Sequence, residues 1–396
     1  MSNTNLKWKN NRDMFPEAGA DGMPSVDLDS QKYIKVWQGP NHPGVTGNMA
    51  IELTVSGDEI MQAKTHVGYL HRGFEKLFER RRYIQCFPTC IRMCVPEPDI
   101  NEYNLARGTE LLSGIQSPPM ADWIRMLVLE MARLQVLLRM VPGQAGTIGL
   151  GLGAQWGLYY RELILDRFEE LTGGRIYHMY ILPGGVRGLL PDGFKKRLEE
   201  NLVKIETFMK DIDRLIYTNA VFKKRTKGIG VVPADWIEPY GITGPVARAA
   251  GYKTDVRKDY PYLFYDQLDF GYNIEHESDV YARFRVRRKD VDTTISLLRQ
   301  IMAKMPEKGE FKAETPNVLH WKVPKGETIV RCESSRGEYT FYMVADGSMY
   351  PRRINLRGPS YTHAIAVLEK LLVNANISDV SAILVSLATC PPEIER

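Results

Sequence analysis

Apolar residues recur at helical spacing through the middle of the chain. In residues 120–140, four large apolar side chains fall on one face of a helix that stops at the Pro-Gly pair after it: Leu127, Met131, Leu134 and Leu138. The same spacing and its boundary signals predict further helices at residues 75–83, 99–114, 159–171, 195–219, 278–305 and 361–375. Asp99 is the predicted N-cap of the second of these, because Glu102 stands three residues on.

Both ends of the chain carry short stretches with the composition of β-strands. They lie at residues 33–37, 50–55, 328–333, 339–344 and 352–357, with a third N-terminal strand or turn before His66 and a hairpin-turn signal at Asp346-Gly347. The first two strands enclose a loop, residues 39–47, that contains His42. This order predicts an α+β fold with a mainly helical core bundle and small antiparallel β-regions contributed by both ends. Residues 1–30 are predicted to form an extended arm, and residues 31–396 are predicted to form one domain.

Composition and charge narrow the class of protein. The chain has 396 residues, 44% of them hydrophobic and 25% charged, and its formal net charge of +4 favours no polyanionic partner, so no nucleic acid is expected. Neither a signal peptide nor a run of about 20 apolar residues is present, which predicts a chain that is soluble by itself but able to sit on a membrane complex. The five cysteines are too sparse for a secreted disulfide framework.

Two Cys-x-x-Glu pairs carry the candidate chemistry. Cys94 with Glu97 lies in the first quarter of the chain, and Cys390 with Glu393 lies near its end. One turn brings both members of such a pair to the same side, so the two pairs could converge into a four-ligand pocket. Glutamate in the second position of each pair replaces soft thiolate by hard oxygen, which weakens a metal interpretation.

Two other cysteine and glycine patterns favour structural roles. Cys86 and Cys90 are predicted to be buried as small hydrophobic residues. The glycine-rich residues 146–157 follow a helix rather than a strand, so they favour close helix packing over dinucleotide binding.

A series of motifs in this order resembles a known family. They comprise His66, Gly68, His71 to Gly73, Glu75 and Lys76; Tyr83, Gln85, Pro88 and Arg92; Asn101, Glu102, Glu130 and Arg133; residues 168–173 and 183–186; Glu333 and Arg336 to Glu338; and Arg357, Pro359 and Ser360. From about Gln38 to Arg396 the chain resembles the catalytic large subunit shared by respiratory complex I, where it is the 49 kDa subunit, and membrane-bound nickel-iron (NiFe) hydrogenases. The resemblance implies the hydrogenase large-subunit fold.

Departures from the family motifs indicate the subgroup. In the hydrogenases both pairs are Cys-x-x-Cys and hold nickel and iron; here Glu97 and Glu393 replace the bridging thiolates, so no NiFe centre is expected. Complex I lacks these cysteines and has a second histidine at the place of Thr46, whereas this chain keeps only His42 and the matching Tyr83. Such a chain looks like the large subunit of the membrane-bound sulfane sulfur reductases of sulfur-respiring archaea. An end at Arg396 also fits, because hydrogenase precursors often carry a further tail.

The resemblance implies the partners and the activity. The partners would be a small subunit with a proximal 4Fe-4S cluster, a ferredoxin-like iron-sulfur subunit, and antiporter-like and quinone-module-like membrane subunits. The complex, at the cytoplasmic face of the membrane, would pass electrons from ferredoxin to polysulfide and pump ions. This chain itself is expected to bind no cofactor or metal. The implied catalytic residues are Cys94, Glu97, Cys390 and Glu393, and the implied cavity residues are His42, Tyr83, Glu75 and Arg92.

Several alternatives remain open from the sequence. The cysteines could attack polysulfide or only line the cavity of the partner's cluster. The two glutamates could relay protons, or each could pair with an arginine such as Arg92 or Arg357. The chain could instead belong to a quinone or phenazine reductase of the complex I type, or it could be a non-catalytic scaffold whose Cys₂Glu₂ set holds zinc.

Overall fold

The computed structural model describes residues 33–42 and 48–396. The predicted arm at residues 1–30 and Thr46 lie outside the described residues. One hydrophobic core joins the helices of the middle to the β-regions of both ends. The mixed fold with small antiparallel sheets is confirmed.

The strands form three antiparallel sheets, in the orders β1-β2-β3, β4-β5 and β6-β7-β8. Their bounds are β1 Ile34–Gln38, β2 Ala50–Ser56, β3 Glu59–His66, β4 Ile181–Leu182, β5 Gly185–Val186, β6 Gly326–Ser334, β7 Gly337–Ala345 and β8 Arg353–Arg357. Strands β6 and β7 pair down to Ser334 opposite Gly337, so the two intervening residues form a tight turn. This turn projects Arg336 into the interior.

The helices are α1 Phe74–Phe78, α2 Tyr83–Cys90, α3 Pro98–Ser113, α4 Pro119–Gly143, α5 Gly151–Thr172, α6 Phe194–Ile212, α7 Ala220–Lys224, α8 Gly244–Ala249, α9 Val256–Asp259, α10 Val280–Lys304, α11 Pro359–Tyr361, α12 Leu368–Leu372, α13 Val380–Leu387 and α14 Pro391–Ile394. Helix α4 is central: it packs against α5 and α10, and most of its side chains are buried. The glycine-rich segment supports this packing, because a Cβ at Gly157 would lie 2.5 Å from the carbonyl oxygen of Leu138.

Two helix predictions near the N-terminus are wrong in detail. The helix predicted at residues 75–83 ends at Phe78, and a separate helix α2 begins at Tyr83 and contains Pro88. Asp99 is not the N-cap of α3, because that helix starts one residue earlier at Pro98, a residue whose fixed φ suits the first helical position. Asp99 instead lies buried in the first turn, where it bonds to His178.

Three later predictions also need correction. The helix predicted at residues 195–219 ends at Ile212 and continues as a π-helical turn, Asp213–Tyr217. The helix predicted at residues 361–375 is divided by a second π-helical turn, Thr362–Val367. Asp346-Gly347 does not form a two-residue hairpin, because β8 begins only at Arg353.

Candidate functional site

The two Cys-x-x-Glu pairs meet in the interior. Cys94 lies between α2 and α3, Glu97 is the N-cap residue of α3, and Cys390 is the N-cap residue of α14, which carries Glu393. The two sulfur atoms and one carboxylate oxygen of Glu393 lie within 4.8 Å of one another. The predicted convergence of distant segments is therefore observed, and all four side chains are buried.

The guanidinium of Arg336 lies between these side chains. Its Nη2 is 2.6 Å from the sulfur of Cys94. The same nitrogen lies 3.3 Å from a carboxylate oxygen of Glu97 and 3.3 Å from one of Glu393. A fully buried cation thus has two carboxylates and a thiol around it, an arrangement that offsets the large cost of burying each charge.

Hydrogen bonds fix the two carboxylates. Glu97 accepts from the backbone N–H of Ser335 at 2.9 Å and from the Ser335 hydroxyl at 2.7 Å, so it holds the turn that carries Arg336. Glu393 accepts from the backbone N–H of Ser360 at 2.9 Å. Gly358 leaves the space that the Glu393 carboxylate occupies, because a Cβ there would overlap its oxygen.

The two thiols share a hydrogen bond that makes them unequal. The Cys94 thiol donates to the Cys390 sulfur, and this bond, helped by the charge of Arg336, lowers the pKa of Cys390. Burial raises the pKa of Cys94. Burial also raises the pKa of Glu393. The cluster therefore makes Cys390 the more readily ionised of the two cysteines and places it, with a carboxyl group whose pKa is raised, next to a fixed positive charge.

The donor set does not fit a metal ion as it is arranged. Cys94, Cys390 and Glu393 are close enough to act as ligands. However, a zinc or nickel ion among them would stand beside the guanidinium of Arg336, which already contacts the Cys94 sulfur and the Glu393 carboxylate. The positive charge that a metal would supply comes from this side chain.

Both glutamates pair with an arginine, as one of the open alternatives had it, but the partner is neither of the two arginines named from the sequence. Arg92 donates to the carbonyl oxygen of Pro88 at 2.5 Å and stacks on the ring of Tyr177. Arg357 donates to the carbonyl oxygen of Gly241 at 2.7 Å. Neither forms an ion pair with Glu97 or Glu393 among the described contacts, and Arg336 takes that role.

The predicted cavity residues do not share one set of contacts. His42 is exposed at the end of its described segment. Tyr83 is buried, burial raises its pKa, and its hydroxyl has no hydrogen-bond partner among the described residues. Glu75 binds Arg353 and Arg396 and accepts from the backbone N–H of Leu356 at 3.1 Å.

A surface pocket of about 340 Å³ lies against the C-terminal segment that follows Glu393. Its lining comprises His71, Gly73, Glu75, Lys76, Arg353, Tyr361 and residues 394–396. Only Glu75 among the predicted cavity residues lines this pocket. The pocket and the Cys390 cluster are therefore neighbours along the chain, because residues 394–396 follow Glu393 directly.

Sequence reasoning missed Arg336 and Ser335 as members of the site. Arg336 stood within a recognised family motif, Glu333 to Glu338, but its charge was not assigned to the cysteines. One feature of the sequence could have indicated them. The two pairs contain two carboxylates and two thiols but no basic residue, so burying them together requires a cation from another segment.

The sequence and fold resemble those of respiratory-complex subunits. The family model described as respiratory-chain NADH dehydrogenase, 49 Kd subunit, matches residues 148–322 and 317–396. The chain is 42% identical over 367 residues to an NADH-quinone oxidoreductase subunit of Thermosipho melanesiensis, covering 92% of this chain and 99% of that protein. It is 35% identical over 372 residues to an F(420)H(2) dehydrogenase subunit of Methanosarcina mazei, covering 93% and 99%.

A solved structure has the same fold. A chain in the structure of the membrane-bound sulfane sulfur reductase, described as an archaeal respiratory membrane complex, matches with a TM-score of 0.90 and 38% sequence identity, covering 93% of this chain and 99% of that one. Within the described residues, no helix combines the length and the apolar character needed to cross a bilayer.

Proposed function

Because this chain belongs to the family of the 49 kDa subunit of respiratory-chain NADH dehydrogenase, we propose that it is the large subunit of a membrane-bound sulfane sulfur reductase. The similar solved structure supports the reaction, since that complex is a sulfane sulfur reductase. In this proposal a ferredoxin-like iron-sulfur subunit and a small 4Fe-4S subunit are the neighbours. Antiporter-like and quinone-module-like membrane subunits, with this chain at the cytoplasmic face, couple the reaction to ion pumping.

The observation that carries the proposal is the buried thiol pair beside Arg336. A thiolate attacks an S–S bond readily, and the Cys94 thiol together with Arg336 lowers the pKa of Cys390, so Cys390 is the more readily ionised of the two cysteines. Polysulfide is an anion, and the guanidinium 2.6 Å from Cys94 provides the charge that would hold it. The nucleophile for polysulfide and the cation that would bind it thus lie in the same buried cluster.

The proposed reaction has three balanced steps. The Cys390 thiolate attacks the terminal sulfur of polysulfide, which forms a Cys390 persulfide and releases a polysulfide shorter by one sulfur atom. The Cys94 thiol then attacks the Cys390 sulfur, so that hydrosulfide leaves with the proton and a Cys94–Cys390 disulfide forms. Two electrons and one proton regenerate the thiolate and the thiol. A partner's iron-sulfur cluster would supply the electrons, and Glu393 would hold the proton.

Activity of the purified complex with reduced ferredoxin tests this proposal. We expect Cys390→Ser and Cys94→Ser each to lower polysulfide-dependent sulfide release by roughly 100-fold or more. The matched control is Cys86→Ser, a buried cysteine in α2 whose thiol contacts the carbonyl oxygen of Phe78. Full activity of both site variants would show that the cysteines only line the cavity.

A quinone reductase is the second candidate, and one observation favours it. The hydroxyl of Tyr83 is buried without a hydrogen-bond partner among the described residues. A buried hydroxyl of this kind is able to donate to the carbonyl oxygen of a bound quinone. For that function, Tyr83→Phe lowers quinone reduction and leaves sulfide release unchanged. Quinone-dependent oxidation without polysulfide activity in the wild-type complex would make this candidate the function.

A further inference from the structure

Two arginines of α10 are buried without a carboxylate. Arg283 and Arg287 lie one helical turn apart, and both side chains are fully buried. The other buried arginines near them have acidic partners: Arg248 binds Asp290, and Arg336 binds Glu393. Within the described part of the chain, Arg283 and Arg287 form no such ion pair.

The two guanidiniums lie side by side on one residue of α13. Arg283 donates through Nε to the hydroxyl oxygen of Ser386 at 2.9 Å, and Arg287 donates through Nη1 to the Ser386 carbonyl oxygen at 2.7 Å. Like charges are therefore held together in the interior. Three of their nitrogens have no acceptor among the described residues: Nη2 of Arg283, and Nε and Nη2 of Arg287.

Both side chains keep their charge at neutral pH. Burial and the charge of Arg287 lower the pKa of Arg283 to about 9, and burial lowers the pKa of Arg287 to about 10. Both values remain above 7. The adjacent His363 adds no further positive charge, because burial and Arg287 lower its pKa to about 3 and the ring is neutral at pH 7.

The acidic residues closest to the two arginines, Asp279 and Asp290, accept their hydrogen bonds from other groups. Asp279 accepts from the backbone N–H groups of Ala282 and Gly228, at the start of α10. Asp290 accepts from Arg248 at 2.9 Å and from Asn273 at 2.8 Å. Two buried positive charges with free N–H donors thus have no carboxylate in direct contact among the described residues, and Asp279 and Asp290 act on them only at longer range. This arrangement is costly unless an anion is supplied from solution.

We propose that Arg283 and Arg287 form a buried binding site for a small inorganic monoanion of the size of chloride. The anion accepts from the free nitrogens of both guanidiniums and offsets their charges. Close packing limits its size: a Cβ at Gly230 would lie 3.3 Å from Nη2 of Arg283 and 2.9 Å from Ile383. The site does not depend on the reaction at Cys94 and Cys390.

Bromide is the probe that tests this site in the purified complex. The complex is equilibrated in bromide, desalted into gluconate, and its retained bromide is measured by mass spectrometry. We expect wild type to retain one bromide more per copy of this chain than Arg287→Met. The matched control is Arg285→Met on the same helix, whose side chain is partly exposed and pairs with Glu275, and it should retain bromide as wild type does.

A measurement on wild type alone keeps the test independent of how the variant folds. The melting temperature of the complex should rise when gluconate is replaced by chloride or bromide at equal ionic strength, because a ligand that binds only the folded state stabilises it. Equal melting temperatures in both salts, or equal bromide retention by wild type and Arg287→Met, would overturn the proposal. In either case, water rather than an anion satisfies the free nitrogens.

Discussion

Replacing Arg336 with methionine removes the positive charge at the centre of the candidate site. At an effective dielectric constant of about 20, a charge pair at the observed 3.3 Å has an attraction of about 5 kcal/mol. The variant does not lose this amount twice, because a buried carboxylate without a partner takes up a proton. At pH 7 that protonation costs about 3–4 kcal/mol for a glutamate. We therefore expect Arg336→Met to lower the free energy of unfolding by about 3–5 kcal/mol.

The same reasoning gives the direction of the pH dependence. Burial already raises the pKa of Glu393 above 4.5, and Arg336 opposes that rise, so its removal raises the pKa further. A carboxyl group with a raised pKa in the folded state stabilises the fold below its unfolded pKa and loses that contribution as pH rises through the folded value. The deficit of the variant should thus shrink to about 1–2 kcal/mol at pH 5.5.

Urea titration of the purified chain at pH 5.5 and pH 7.5, followed by tryptophan fluorescence, measures both quantities. Arg92→Met is the control, because Arg92 is exposed and contacts neither glutamate, and its effect should stay below about 1 kcal/mol. The reasoning is refuted if Arg336→Met matches wild type at pH 7.5, or if its deficit is the same at both pH values.

Three further substitutions test other parts of the structure. Burial raises the pKa of Glu102 to about 8, so this residue should lower wild-type stability as pH rises from about 4.5 to 8, and Glu102→Gln should make the fall over that range smaller in a series of urea titrations. Gly157→Ala should lower the free energy of unfolding by roughly 1–3 kcal/mol, because its methyl group would meet the backbone of α4, whereas Gly143→Ala has open space and should not. Gly358→Ala should displace the carboxylate of Glu393 and reduce sulfide release while circular dichroism stays unchanged.

The periodic elements could be predicted from the sequence because their signals are local. The apolar face of α4 and the strands β6 and β7 appear where spacing and composition placed them. The errors arose where a tertiary contact decided the outcome. Asp99 and Glu102 have the spacing of a capping box, yet the carboxylate of Asp99 forms a buried hydrogen bond with His178 at 2.8 Å instead of capping the helix.

The candidate site was only partly predictable for the same reason. The internal spacing of each Cys-x-x-Glu pair is local, and the resemblance to a family suggested that the pairs converge. The cation that neutralises the two glutamates could not be identified from the neighbouring sequence, because Arg336 lies 242 residues from Cys94 along the chain. The sequence offered Arg92 and Arg357 as possible partners, whereas the fold places the arginine of the β6–β7 turn between the two glutamates.

This separation also bears on how the protein matures. The contact between Glu97 and Ser335 spans 238 residues, and Cys390, which completes the site, lies between α13 and α14 near the end of the chain. Loop closure over such distances is slow, so the two sulfurs should come together among the last events of folding. The yield of a short crosslinker between Cys94 and Cys390 would then report the fraction of newly made chains that have finished folding, before any partner subunit has docked.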